Sequence, residues 1–294
     1  MPGTPYRRRL GDRKEGRLLR SYPAYNKMTP FLMKKRSDAS NYFQDELEVT
    51  QVDRWLRQKR AEGYKGLGTL HLFIAAYIRT IACRPALNRF VSGQRVFARH
   101  DVDILMTVKH SLSDASDESS IKVRFKQTDT IFDVYRKMNA EIDSVKAQNG
   151  DNGADNFANN VMKLPRLIIN FVVWALKVMD YFGLIPQSIL DFSPFHGSMI
   201  ITDIGSIGAP PIFHHIYDFG NLPIFLALGI KQRRLEMDDE GKIVERKYVR
   251  FTATTDERIC DGFYLATSLK YLKHYLNNPQ LLETPPEKVE QDIF

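Results

Sequence analysis

The residues of this chain best placed to do chemistry lie close together, in Thr254-Thr255-Asp256-Glu257-Arg258-Ile259-Cys260-Asp261-Gly262-Phe263. Before them, Lys247 to Thr255 alternates as a half-buried strand does. After them, Tyr264 to Leu276 spaces its apolar residues helically until Asn277-Asn278-Pro279 ends the run. A strand that passes through an Asp-Gly turn into a helix holds side chains rigidly at the mouth of a cleft. By residue type alone, Glu257 reads as a solvated or salt-bridged acid. Asp261 reads as a helix N-cap worth about 1 kcal/mol, and Gly262 as the residue that lets the backbone turn. Earlier in the chain Thr202 offers a hydroxyl, which as a β-branched residue also suits a plain strand position. His214 and His215 offer imidazoles, yet Phe213, Ile216 and Tyr217 around them favour packed histidines, and His196 reads the same way. Adjacent histidines point to opposite faces of a strand, so no pair has metal-ligand spacing and no metal site is expected.

The elements that must position these groups can be read in order. Tyr42 to Val49 is a strand, and Thr50 is placed to cap a helix over Gln51 to Glu62. Thr69 opens an apolar helix to Cys83, closed by Pro85. Ser92-Gly93 turns a hairpin. Asp101 to Lys109 and Ile121 to Lys126 are two further strands joined by the polar, acidic stretch Ser111 to Ser120. Thr130 with Asp133 marks a capped helix start whose buried face is Ile131, Val134, Tyr135 and Met138. Gln148 to Asn160, rich in Asn, Asp and Gly, reads as a loop. Lys231 to Glu236 and Lys242 to Lys247 form a hairpin around Asp239-Glu240-Gly241.

With these residues set out, a resemblance becomes specific. The stretch from Glu257 to Phe263 is similar to the His-x-x-x-Asp-Gly motif of the dihydrolipoyl acyltransferase cores of 2-oxoacid dehydrogenases and of chloramphenicol acetyltransferases. It keeps Arg258, Cys260, Asp261, Gly262 and Phe263, with Glu257 where the motif has His. Arg84-Pro85-Ala86-Leu87-Asn88-Arg89-Phe90, His196 through Gly208, and Pro223 through Gly229 resemble other segments of those proteins, as does Glu46 through Arg57. The likeness runs from about residue 25 to 282, strongest at both ends. It implies an α/β fold, a chloramphenicol acetyltransferase-like two-layer sandwich with a mixed sheet flanked by helices, assembled as a homotrimer. It divides the chain into a basic N-terminal arm (1–24), an acyltransferase-like catalytic domain (25–282) and a C-terminal tail (283–294).

The resemblance also assigns roles. Acyl transfer from a coenzyme A thioester needs a base for the attacking proton and a donor for the tetrahedral oxyanion. Glu257 takes the base position, and Thr202 the hydroxyl that a neighbouring subunit supplies. His214 or His215 is the candidate substitute base. Lys27, in Tyr25-Asn26-Lys27, stands where the acetyltransferases carry an Arg that pairs with the motif Asp. It is therefore expected to form an ion pair with Asp261, with Arg258 and Gly262 shaping the loop. Carboxylates ionise near pH 4 and thiols near 8.5, so a carboxylate is the weaker base for a thiol. Two functions follow: a coenzyme-A-dependent acyltransferase, with a small-molecule or thioester substrate, acting between a thioester and an acceptor that the sequence does not name, or a catalytically silent homologue that binds or assembles. Coenzyme A thioester is then a substrate, no cofactor is expected to stay bound, and no lipoyl domain is recognised.

Composition fits a globular protein, with 43% hydrophobic and 26% charged residues among 294. Residues 1–27 hold eight Lys/Arg against Asp12 and Glu15, which accounts for nearly all of the net +7. The basic character belongs to the arm, and no nucleic-acid module follows it, so nucleic acid is not the favoured partner. The two cysteines, Cys83 and Cys260, suggest neither a disulfide framework nor a metal site, which points to a reducing, cytoplasmic setting. Leu164 to Ile185 is the most apolar segment, but Arg166, Asn170, Lys177 and Asp180 interrupt it. It reads as a buried or subunit-facing helix, with an interfacial membrane helix second and no transmembrane segment.

Overall fold

The computed structural model describes residues 7–109, 118–147 and 159–294. Its frame is a six-stranded mixed sheet in the order β2-β9-β8-β7-β5-β6. These strands are β2 (Ser40–Glu48), β5 (Val102–Lys109), β6 (Glu118–Phe125), β7 (Met199–Asp203), β8 (Ile224–Met237) and β9 (Ile243–Asp256). β7 runs parallel to both β5 and β8, and the other pairs are antiparallel. A second, three-stranded sheet joins β1 (Gly16–Leu18), β4 (Arg95–Arg99) and β3 (Arg89–Ser92). Gly93 (φ 55°) and Gln94 (φ 57°) both take left-handed backbone at the β3–β4 turn, as a tight two-residue hairpin demands. The expected mixed sheet flanked by helices is what the chain forms.

Alternation along the strands decides which face holds the core. Val249, Phe251 and Ala253 of β9 and Met199 and Ile201 of β7 join the main hydrophobic cluster with the helices. That layer holds α2 (Thr50–Ala61), α3 (Thr69–Cys83), α4 (Ile131–Ala147) and α7 (Gly262–Asn277). α3 is its centre, buried from His71 to Ala82, which is why its sequence is apolar on every side. The reciprocal cap that begins α4 is present: Thr130 N–H donates to Asp133 at 2.9 Å and Asp133 N–H to Thr130 Oγ1 at 3.2 Å. Thr50 does not cap α2. It is the helix's first residue, and its hydroxyl accepts from Lys247 N–H at 2.9 Å, tying α2 to β9.

The opposite face is covered differently: the short helix Gln187–Phe192 meets it at β6, where Lys122 Nζ donates to Leu190 O. Residues 209–223 cross this face without regular structure, and the hydroxyls of Thr252 and Thr254 donate to the carbonyls of Ile212 and His214. The paired glycines of the β7 exit have a steric reason. Gly208 sits at φ 82°, and a Cβ on Gly205 would strike the carbonyl oxygen of Gly229.

The N-terminal segment is knitted in from β1 onward. Arg17 donates to the carbonyl of Asp292 and, at 2.5 Å, to that of Ile293, while Glu290 N–H reaches Ala82 O at 2.7 Å. Segment 283–294 therefore folds back along the domain. α1 (Ala24–Leu32) follows β1, and α5 (Arg166–Phe182) and α6 (Gln187–Phe192) precede β7. The reading of 164–185 as a buried helix is corrected within the chain, because no residue of α5 is buried. Most of the loop read over 148–160 and of the acidic stretch 111–120 lies outside the described residues.

Candidate active site

The candidate loop is set by a carboxylate that sequence reading passed over. Asp256, last in β9, is 1% exposed and accepts from Arg258 three times: from N–H at 3.1 Å, from Nε at 2.8 Å and from Nη2 at 2.7 Å. Arg258 is buried too, and its Nη1 donates to Met33 O at 2.8 Å. A second buried guanidinium, Arg36, places Nε 3.8 Å from Asp256 and donates to the carbonyls of Asp218 (2.8 Å) and Val91 (3.0 Å). Burial lowers the Arg36 pKa, and the charge of Asp256 opposes that shift. A bidentate pair with its remaining donors satisfied is the arrangement that tolerates such burial. Its consequence is geometric: with Asp256 and Arg258 turned inward, Glu257 between them is exposed.

Beyond the turn, Ile259 and Cys260 are buried again. The carbonyl of Ile259 accepts from Arg89 Nη1 at 3.1 Å and from the Tyr22 hydroxyl at 3.4 Å. Arg89 in turn grips Asp292 with two bonds, at 2.8 and 2.6 Å. Burial pushes the Cys260 thiol up to about 12, which removes it from nucleophilic chemistry near neutrality. Asp261 Oδ1 accepts from Tyr264 N–H at 2.7 Å and so caps α7.

Three expectations need correction. Lys27 makes no ion pair with Asp261: its Nζ donates to Arg20 O at 2.6 Å, and Arg258 with Asp256 supplies the buried pair of the loop instead. Gly262 serves no special turn, since it has no left-handed φ and a Cβ there would meet nothing within 4 Å. Neither His214 nor His215 stands in a strand. His214 stacks on Phe225 with ring centroids 4.2 Å apart, and burial lowers its pKa. His215 is exposed with its ring edge to Tyr217 at 5.0 Å. His196 is structural: its ring nitrogens meet Ser193 Oγ at 2.7 Å and Asp180 Oδ1 at 3.2 Å.

Thr202 is half-buried in β7 and, by alternation with Met199 and Ile201, on the face turned away from the main core. It aligns with Ala227 of β8, which faces Thr252 of β9, five residues short of Glu257. At about 3.3 Å per residue and 4.8 Å per strand, Thr202 and Glu257 of one chain are on the order of 20 Å apart. They do not meet within a chain. Behind the loop lies a cavity of about 640 Å³ whose lining includes Arg36, Arg258, Lys34, Lys35, Lys177 and Asp218. Among the described residues no cluster of His, Cys, Asp and Glu could hold a metal ion.

Residues that sequence reading missed share one trait: Arg36, Arg89, Asp256 and Asp292 are charged and buried, and nothing in a Lys-Lys-Arg run or an acidic tail marks which charge will be.

Residues 188–284 match the family model for 2-oxoacid dehydrogenases acyltransferase (catalytic domain). That span includes β7, β8, β9, the candidate loop and α7. The structure is similar to that of a probable dihydrolipoamide acetyltransferase from Listeria monocytogenes 4b F2365, with TM-score 0.53 and 16% identity over 86% of this chain and 89% of that one. It is similar to Azotobacter vinelandii dihydrolipoamide acetyltransferase, with TM-score 0.56 and 14% identity over 96% and 98%. In that protein a serine, a histidine and an asparagine are the residues whose catalytic roles were investigated. A chloramphenicol acetyltransferase superposes with TM-score 0.53 and 12% identity over 89% and 99%. At these identities the shared property is the fold. No curated protein sequence matches.

Proposed function

We propose that this chain is a coenzyme-A-thioester acyltransferase of the dihydrolipoyl acyltransferase type in which a carboxylate, Glu257, occupies the base position. The observation that supports this most directly is the lock of Asp256, Arg258 and Arg36, which builds a rigid loop and presents residue 257 outward from it. A loop that only ended a strand would not require two buried guanidiniums. The separation of Thr202 from Glu257 fits a site closed by a neighbour, in a homotrimer, with Thr202 of the partner subunit facing the Glu257 loop. The basic lining of the adjacent cavity suits the phosphates of coenzyme A.

In the reaction, residue 257 takes the proton of the acceptor as its sulfur or oxygen attacks the thioester carbonyl. Thr202 of the partner subunit donates a hydrogen bond to the oxyanion that forms. The intermediate then collapses with cleavage of its carbon–sulfur bond, and coenzyme A leaves as a thiolate that regains the proton from residue 257. A carboxylate does this less well than an imidazole at neutral pH, so turnover is expected to be weak. The second reading, a silent homologue, is favoured by one observation: none of His196, His214 and His215 is bonded to the loop.

Calorimetry with acetyl-coenzyme A, followed by turnover assays on Glu257→His and Glu257→Gln, separates the two. Binding by the wild type with a rise of roughly 10²-fold or more in Glu257→His supports the proposal. Strong wild-type activity lost in Glu257→Gln makes the acid itself the working base. Absence of binding in every form establishes the silent homologue.

A further inference from the structure

α5 has a composition that ordinarily belongs inside a protein, yet none of its residues is buried. Leu167 is 82% exposed, Phe171 64%, Trp174 59% and Phe182 60%, and Leu184 just beyond is 62%. Phe171 and Trp174 stack on each other at 5.7 Å, forming one aromatic surface. Such a continuous apolar face calls for a covering partner.

The charges around the face indicate which partner. Lys163, Arg166 and Lys177 are all exposed. The one acid of the helix, Asp180, is engaged by His196 Nε2 and by Gly220 N–H, each at 3.2 Å. At the C-terminal end of α5, Arg13 donates to Tyr181 O at 2.6 Å and Lys14 to Ile185 O at 2.7 Å. These bonds hold Arg13 and Lys14, the last two cations of the basic segment Arg7–Lys14, at the end of the helix. Lys34 and Lys35 share a cavity lining with Lys177 and Tyr181, and Phe31 and Leu32, just before them, are 53% and 67% exposed. Apolar anchors and cations are therefore gathered on one side of the molecule.

We propose that α5, together with the basic segment beside it, docks this protein on an anionic lipid bilayer, with the helix lying in the headgroup plane. A 17-residue helix is roughly 26 Å long, short of the bilayer core, and no described helix is long and apolar enough to cross a membrane. Leucine and phenylalanine at the acyl boundary, tryptophan and tyrosine at headgroup level and flanking lysine and arginine are what an interfacial helix uses. An apolar face and a basic patch supply the two signals that lasting attachment requires. A two-fold pairing of α5 with a second copy is the less suitable cover. A symmetric contact through α5 would set Lys163, Arg166 and Lys177 against themselves with no free acid on the helix to answer them. The proposal does not depend on Glu257, though it shares Lys34, Lys35 and Lys177 with the cavity proposed for coenzyme A.

The test uses the full chain carrying Trp55→Phe, which leaves Trp174 as its reporter, since the sequence holds two tryptophans. Vesicles of phosphatidylcholine with about a third phosphatidylserine are compared with vesicles of phosphatidylcholine alone. We expect Trp174 emission to shift blue with the anionic vesicles, to be quenched by brominated acyl chains, and to lose the shift in roughly 0.5 M salt. Lys163→Gln with Arg166→Gln should weaken vesicle affinity about 25-fold, near fivefold per cation. Phe171→Ser, at a position that packs on nothing buried, should weaken it with an unchanged circular dichroism spectrum. Unchanged emission with both vesicle types overturns the proposal. So does a blue shift that grows with protein concentration in the absence of lipid, which would assign the face to a second copy.

Discussion

A single buried carboxylate shapes the candidate site. Asp256 and Arg258 are 1% and 2% exposed at their side chains and share a bond of 2.7 Å, and Arg36 adds a second buried cation whose Nε is 3.8 Å from the same carboxylate. Removing one member leaves another charge buried without its counterpart, a loss of about 3–5 kcal/mol in comparable cases. Asp256→Asn is therefore expected to lower stability on that scale, and Arg258→Lys, which keeps the charge but loses the bidentate bonds, by less, read from the urea midpoint at unchanged slope. Lys falls short at position 258 because it has no fork to bridge both carboxylate oxygens. Cys260 gives a second test. With its thiol pushed up to about 12, it should resist alkylation at pH 8 in the folded protein and react once urea opens the loop, as read by mass spectrometry. At this scale the sequence was least legible. Glu257 and Asp261 stood out because a motif surrounds them, and the N-cap role of Asp261 follows from its place before a helical run. Arg36 and Asp292 gave no sign of burial, because the partners that justify it come from distant parts of the chain.

Elements were read more reliably wherever periodicity and an end signal agreed. Thr69 to Cys83 forms α3 at those bounds, because apolar residues run unbroken from Leu72 to Ile78 and Pro85 cannot continue a helix. The alternating stretch before the loop lies within β9. Residues 209–223 were harder: Pro210, Pro211 and Pro223 remove N–H groups that a ladder would need, so the backbone relies on threonine hydroxyls of β9. Thr50 was misjudged because a threonine at a helix start is usually its cap, whereas this hydroxyl is taken by a strand. The start of α3 carries its own pH dependence. His71 Nδ1 accepts from Gly68 N–H at 3.2 Å, which requires that nitrogen to be unprotonated. Burial lowers its pKa from 6.5 to about 4. The unfolded chain thus binds this proton more readily than the folded one, and stability falls as pH drops through that window. The contribution is roughly 3 kcal/mol, complete above about pH 6.5 and gone below about pH 4. His71→Asn keeps an acceptor for Gly68 without the titration. Urea unfolding from pH 7 to 4 should show a shallower loss in that variant than in the wild type.

At the scale of the whole molecule, Thr202 and Glu257 of one chain are about 20 Å apart. Two groups so far apart cannot serve one carbonyl, so a shared reaction needs one from each of two subunits. Light scattering should then give about three times the 34.0 kDa of the chain, and a stable monomer at micromolar concentration would remove the shared site. Subunit mixing tests the geometry further. Homotrimers of the Thr202→Ala, Glu257→His double variant have the imidazole everywhere and the hydroxyl nowhere. Wild-type homotrimers have the hydroxyl everywhere and the imidazole nowhere. Unfolding and refolding the two together creates interfaces at which an imidazole from one chain meets Thr202 of the other. Acetyl transfer in the mixture should exceed that of either parent by roughly the 10²-fold that a positioned general base supplies, scaled by the fraction of mixed interfaces. A mixture no more active than its parents, formed from subunits shown by mass to have exchanged, would place both groups outside any common site and leave the fold without the reaction.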